Sequence, residues 1–318
     1  MKFAFFGIGG VGGFFAGLLA KAGFDVTFVA RGKTLEALRQ SGLRVESTLG
    51  NFSLPQVTAT GNPAEVRGLD AVFVTVKAWQ VPEAAQQIRP MVGPQTMVIP
   101  LQNGVDAYDQ LAAVLGAERV LGGLCHVIAF VTGPGSVKHM GLHPAVTIGE
   151  WDNTKSARVT QLVECFTQAG FKARVPDNMQ VALWEKFLFL ATLGAVGSVA
   201  RCPAGVMRSV PETKALMQQA MREIADLARA HGIPLPDNAV DKTWKMIENI
   251  PGESTNSLQR DIMAGRPSEL SALSGAVVRL AQAKGIRCPL HEFVYGALLP
   301  GEMRARGQLD SSQWPAIG

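Results

Sequence analysis

Lys186 stands at the head of an apolar run, LWEKFLFLATLGAVGSVA (residues 183–200), that otherwise has the composition of a protein core. An ammonium ion is costly to bury without a partner. Partial desolvation lowers its pKa, which turns a lysine into a proton donor near neutrality. The other reading is an ordinary lysine whose stem packs inward while its head reaches water. Taken alone, the residue leaves both open.

A second set of residues points to an anion. Gly7, Gly9 and Gly12 form Gly-x-Gly-x-x-Gly within GIGGVGG. The first glycine permits a tight turn, the second lets backbone approach a pyrophosphate, and the third lets a helix pack on a strand. The following helix N-terminus presents N–H groups to the phosphates. The stretch FVARGK supplies Arg31 and Lys33 and no acid. An acid there would accept hydrogen bonds from the ribose hydroxyls of NAD, whereas a cation suits a 2′-phosphate, so the dinucleotide read here is NADP(H). A solvated basic turn is the plainer account of Arg31. Two more polar residues follow buried strands, where ligands bind in such sheets: Lys77 after AVFVTV and Asn103 after MVIPLQ. Each is otherwise a loop residue, Asn103-Gly104 being a turn favoured by its own side chains.

Elements must place these groups. KFAFFGI reads as a buried strand, VGGFFAGLLAKAG as a helix stopped by glycine, and DVTFVA as a second strand, the opening of a doubly wound parallel sheet. LRVESTLGNFSL suggests a small hairpin, and LDAVFVTV and TMVIPL are buried strands. RVLGGLCHVIAFVTGPGSVKHMG suggests two extended segments around a turn. From about Pro176 onward, helices separated by CPAG, HGIPLPD, NIPGES and AKGIRCPL take over. The expected architecture is an α/β chain: a Rossmann-like doubly wound parallel sheet over 1–176, followed by an all-helical domain over 177–318.

Composition narrows the class. A chain of 318 residues with 47% hydrophobic and 18% charged residues fits a two-domain globular protein. The net charge of +4 is spread without a basic run, so nucleic acid is not implied. Cys125, Cys165, Cys202 and Cys288 lie far apart and form no CxxC pair, which speaks against a zinc site or a disulfide framework and points to a reducing cytoplasm. The run from Phe187 to Ala200 falls short of the roughly 18 residues of a spanning helix, and the N-terminal stretch has regular glycines rather than a leader's pattern, so no membrane segment is expected. The short-chain Tyr-x-x-x-Lys pair is absent, because neither Tyr108 nor Tyr295 has a lysine four residues on. His126, His139 and His143 show no motif and read as structural.

Gly7-x-Gly9-x-x-Gly12, Arg31, VKAWQ (76–80), QNG (102–104), LWEKF (183–187) and STNSLQRDIMAGRPSEL (254–270) resemble, in order and spacing, the ketopantoate reductase (2-dehydropantoate 2-reductase) family, over nearly the whole chain. The resemblance implies NADPH-dependent reduction of 2-dehydropantoate to (R)-pantoate, a step of pantothenate biosynthesis. It implies Lys186 as general acid and Glu269 as the acid that binds the substrate hydroxyl and supports the lysine. It further implies Ser257 and Asn103 at the substrate, with Asn103 also near the nicotinamide, and Lys77 lining the cofactor cleft. A homodimer is compatible with it.

The sequence departs from that pattern at two positions. The best-known members carry asparagines four and eight residues after the lysine, one and two turns along one helix face. Here they are Leu190 and Gly194, and Asn256 or Thr192 is left to supply the missing hydrogen bonds. Two alternatives follow: the same chemistry on a more apolar 2-oxo acid, or a non-catalytic NADP-binding sensor indifferent to Lys186.

Overall fold

The computed structural model describes residues 1–309, so residues 310–318 of the expected helical domain lie outside the described ones. The chain divides into two compact units, residues 1–102 with 106–179, and Gln180 onward joined by Asn103–Val105.

The first unit is built on a parallel sheet of β1 (Lys2–Phe6), β2 (Asp25–Val29), β5 (Thr58–Thr60), β6 (Ala71–Val74) and β7 (Met97–Pro100), in the order β5-β2-β1-β6-β7. Both faces are covered, as an all-parallel sheet requires. Side chains alternate across the sheet, so Phe3, Phe5, Phe28, Phe73 and Ile99 enter one core while Ala4, Phe6, Val29, Val72 and Val98 enter the other. Phe5 stacks on Phe73 with ring centroids 4.6 Å apart. One face is closed by α1 (Gly10–Lys21) and α5 (Ala157–Gln168), and the other by α3 (Val81–Ile88) and α4 (Ala107–Leu115). The short α2 (Gly32–Ser41) follows β2 and buries only Leu38.

A second sheet was not expected from the sequence as a unit. The hairpin of β3 (Leu43–Ser47) and β4 (Phe52–Leu54) joins the extended pair β8 (Gly122–Gly133) and β9 (Ser136–Gly149) through parallel pairing of β3 with β9. The strand β10 (Lys172–Arg174) pairs in parallel with a later stretch of β9, Ala145–Thr147, on the edge away from β8. Two isolated hairpins would leave four edges of unpaired backbone groups, and pairing them removes most of that exposure. His139 is buried here, stacked on Phe14 at 4.4 Å with Nδ1 2.8 Å from the Ser47 hydroxyl.

In the second unit, α6 (Met179–Ala200) is followed by α7 (Ala204–Ser209), α8 (Pro211–Ala230), α9 (Ala239–Asn249), α10 (Ser257–Met263), α11 (Ser274–Lys284) and α12 (Pro289–Ala305). The helix α6 has 22 residues, longer than its apolar run alone indicates, and passes a length-and-composition test for crossing a membrane. It is 72% buried over that window, as a core helix is when apolar on all sides. Ala195 packs with Ala220, Leu290 and Val294. None of the four cysteines forms a disulfide.

Candidate active site

The strand order reverses at β1, with β2 on one side and β6 on the other, and their carboxyl ends open the crevice where dinucleotides bind in such sheets. Gly7 follows β1 with φ +101°, a conformation that L side chains avoid. A Cβ there would lie 2.7 Å from Val76 Cγ1, beyond the end of β6. A Cβ on Gly12 would lie 2.2 Å from the Gly7 carbonyl oxygen and 2.4 Å from Thr75 Oγ1. The Thr75 hydroxyl in turn donates to the Gly7 oxygen at 2.7 Å. The fold itself therefore demands two of the three glycines.

Gly9 is different. It has φ −93°, and a Cβ added to it would meet nothing within 4 Å. It precedes α1, whose first turn has no side-chain cap, so the N–H groups there lack that partner. The protein's packing gives no reason for glycine at this position. An anion drawn close to the backbone does, and the residues present fit a dinucleotide pyrophosphate.

Beside this turn lies a solvent-open pocket of about 470 Å³, lined by Gly7, Ile8, Ala30, Arg31, Thr34 and Gly61 among others. Arg31 precedes α2, and its guanidinium makes only a loose contact with Glu83 at 3.9 Å, both side chains more than 60% exposed. Such a pair is worth little and leaves the guanidinium available to a phosphate. Lys77 follows β6, exposed, with its ammonium 5.8 Å from the centre of the Trp79 ring. Gln102, buried after β7, donates from Nε2 to the Val74 and Val76 carbonyls at 2.8 and 3.1 Å, tying the ends of β6 and β7 together.

The other candidate residues lie in the second unit. Asn103 belongs to it by contact, and its Nδ2 donates to Glu269 Oε2 at 3.0 Å. Gly104, with φ +100°, could not carry a Cβ without coming 2.8 Å from the Ala272 carbonyl oxygen. The Glu269 carboxylate is 7% exposed by residue, and its carbonyl accepts from the N–H groups of Ala272 and Leu273 at 3.1 and 3.0 Å. Lys186 sits half-buried on α6, with its neighbour Glu185 drawn away to Lys242 at 2.9 Å. Ser257, also half-buried, opens α10. A direct hydrogen bond thus brings Asn103 and Glu269 together.

The family models give the class. Residues 3–153 match the model described as ketopantoate reductase PanE/ApbA, and residues 178–302 match its C-terminal model. The chain belongs to the ketopantoate reductase family. It is 29% identical to a 2-dehydropantoate 2-reductase of Nostoc sp. over 97% of this chain and 98% of that one. It is 28% identical to an uncharacterized oxidoreductase, YkpB, of Bacillus subtilis, over 94% and 98% of the two chains. Among solved structures, a PanE/ApbA family ketopantoate reductase from Ralstonia eutropha superimposes with a TM-score of 0.88 at 29% identity, covering 96% of this chain and all of that one.

Within this ketopantoate reductase fold, the two departures on α6 are built into the packing. Asn256 is engaged at both ends: Nδ2 donates to the Leu190 carbonyl at 3.1 Å, and Oδ1 accepts from the Leu258 N–H at 2.8 Å, capping α10. Its amide is thus a clip between α6 and α10. A Cβ on Gly194 would come 3.0 Å from Leu258 Cδ2 and 3.4 Å from Asn256 Oδ1, so a larger residue there displaces that clip. Thr192 is fully buried and its hydroxyl finds no partner among the described residues.

Sequence reading passed over several residues that the structure makes important. Thr75 and Gln102 lie inside the motifs quoted for strand ends, and their polarity within buried runs was the available signal. Ser268 lies inside RPSEL beside Glu269, but its meeting with Glu302 and Arg306 carried no signal, because it depends on helix packing.

Proposed function

We propose that the protein reduces 2-dehydropantoate to (R)-pantoate with NADPH. The observation that carries this reading is the part-buried Asn103–Glu269 hydrogen bond, which orients an amide and a carboxylate together in a chain of the ketopantoate reductase family. The names of the relatives supply the substrate. NADPH, when bound, supplies the hydride. Gly7, Gly9 and Gly12 receive its pyrophosphate, and Arg31, which follows β2 in a stretch FVARGK that carries no acid, receives its 2′-phosphate. Lys77 lines the same site.

The remaining work belongs to the second unit. Reduction of a ketone develops charge on its oxygen, and Lys186 Nζ gives that oxygen its proton. The Glu269 carboxylate accepts from the substrate hydroxyl and supports the ammonium, whose burial an opposite charge offsets. One Nδ2 hydrogen of Asn103 holds Glu269; its second hydrogen and its oxygen serve the substrate and the nicotinamide. The Ser257 hydroxyl binds substrate.

A second reading has its own support. Leu190 and Gly194 carry no amide, and the Asn256 amide is tied to backbone through both its nitrogen and its oxygen. A site lacking donors for a substrate hydroxyl turns over an apolar 2-oxo acid in preference. Following NADPH oxidation with 2-dehydropantoate and a panel of 2-oxo acids decides between them: turnover of an apolar acid alone overturns the first reading. Lys186→Ala should lower kcat strongly with NADPH affinity kept. An unchanged kcat removes Lys186 from the mechanism, and no turnover of any 2-oxo acid favours an NADP-binding sensor.

A further inference from the structure

Glu302 on α12 and Arg306, which caps that helix one turn later, form an ion pair, Arg306 Nε to Glu302 Oε1 at 2.6 Å, with the Glu302 side chain 2% and the Arg306 side chain 16% exposed. Burying two charges costs about as much as their attraction returns, so such a pair is a weak source of stability. Its contacts show what it holds. The Ser268 N–H donates to both Glu302 oxygens at 3.0 and 3.1 Å, and the Ser268 hydroxyl donates to Oε2. Arg306 Nη2 donates to the Ser268 carbonyl at 2.7 Å. Ser268 is fully buried, and its hydroxyl oxygen also accepts from the Leu270 N–H at 3.3 Å.

The Ser268 carbonyl belongs to the peptide unit that leads into Glu269. That unit is held by Arg306, the Glu269 carbonyl is held by Ala272 and Leu273, and the carboxylate is held by Asn103. The backbone on both sides of Glu269 is therefore locked. The anchored backbone fixes where the side chain starts, and burial and the bond to Asn103 hold the carboxylate itself; catalytic groups need placement within a fraction of an ångström.

We propose that Ser268, Glu302 and Arg306 are positioning residues that clamp the Glu269 backbone and so aim its carboxylate at the substrate. None of the three touches substrate. The proposal rests on the reading of Glu269 as a substrate-binding acid.

The test is a double-mutant cycle of Ser268→Ala with Glu269→Gln in the full-length protein, reading kcat, KM and Tm with NADPH and the 2-oxo acid that the native enzyme reduces best. Ser268→Ala alone should lower kcat/KM by about tenfold, as misplacement of a catalytic group does. In the Glu269→Gln background it should lower it no further, while its effect on Tm is the same in both backgrounds. A purely structural role moves Tm without that non-additivity. An equal loss of kcat/KM in both backgrounds, or no loss in either, overturns the clamp while Glu269 keeps its role. A Glu269→Gln variant with native turnover overturns the reading of Glu269, and the clamp with it. Should Ser268→Ala fail to fold, Arg306→Lys takes its place under the same criterion, since it keeps a charge for Glu302 but loses the guanidinium fork that also reaches the Ser268 carbonyl.

Discussion

Asn103 Nδ2 lies 3.0 Å from Glu269 Oε2, joining two residues that stand 166 positions apart in the chain. Asn103 follows the last strand of the parallel sheet, yet it belongs by contact to the helical unit. A buried carboxylate that loses a hydrogen-bond donor is less well held, and a hydrogen bond to a charged group is worth about 1.5–3 kcal/mol. Asn103→Ala should therefore lower kcat/KM by roughly 10- to 150-fold with NADPH affinity changed far less. Steady-state kinetics together with a cofactor titration checks this, and a native kcat/KM refutes it.

Gly9 and Gly12 should respond in opposite ways to the same substitution. A Cβ on Gly12 runs into the Gly7 carbonyl oxygen and Thr75 Oγ1, which are themselves hydrogen-bonded to each other. Gly12→Ala should lower Tm. A Cβ on Gly9 meets no protein atom within 4 Å, so Gly9→Ala should keep the native Tm and lose NADPH affinity. Thermal melts without cofactor and fluorescence titration with it separate the two.

Gly194 tests the substrate. Because a side chain there meets Leu258 and the amide that clips Leu190 to α10, Gly194→Asn alone should lower Tm. The single exchange Leu190→Asn, on the half-buried face one turn from Lys186, avoids that clash. It should shift the ratio of kcat/KM values toward hydroxylated 2-oxo acids over apolar ones, by about tenfold for one gained hydrogen bond. An unchanged ratio means that Leu190 does not face the substrate.

His291 sets a limit on acid stability. Burial holds its ring at a pKa of about 4, well below the ordinary 6.5, with Nδ1 3.4 Å from the Ser274 hydroxyl. Below pH 6.5 the unfolded chain takes up a proton that the folded chain refuses, so stability rises with pH through that window. The contribution is complete above pH 6.5 and is lost progressively toward pH 4, amounting to about 3 kcal/mol across the range. Denaturant titrations at several pH values should show that slope in the native protein and its loss in a folded His291→Gln variant.

The residues that the sequence by itself determined are those whose reasons are local. Gly7, Gly9 and Gly12 sit within one strand-turn-helix, where chain geometry explains Gly7 and Gly12 and places Gly9 before a helix N-terminus. The alternation of Phe3, Ala4, Phe5 and Phe6 between two cores follows from the twofold repeat of a strand. Arg31 and Lys77 stand just after β2 and β6, as the buried runs before them indicate.

The tertiary structure alone decided the rest. Nothing in the order of residues joins Asn103 to Glu269, or Ser268 to Glu302 and Arg306, because those bonds form only after helices distant in sequence have packed. The second sheet arises likewise, from two segments that look like separate hairpins until β3 pairs with β9. Most telling is Asn256, which in the sequence stands ready to replace the missing amides of α6. Packing commits both of its polar ends to backbone, since buried donors and acceptors take the partners within reach.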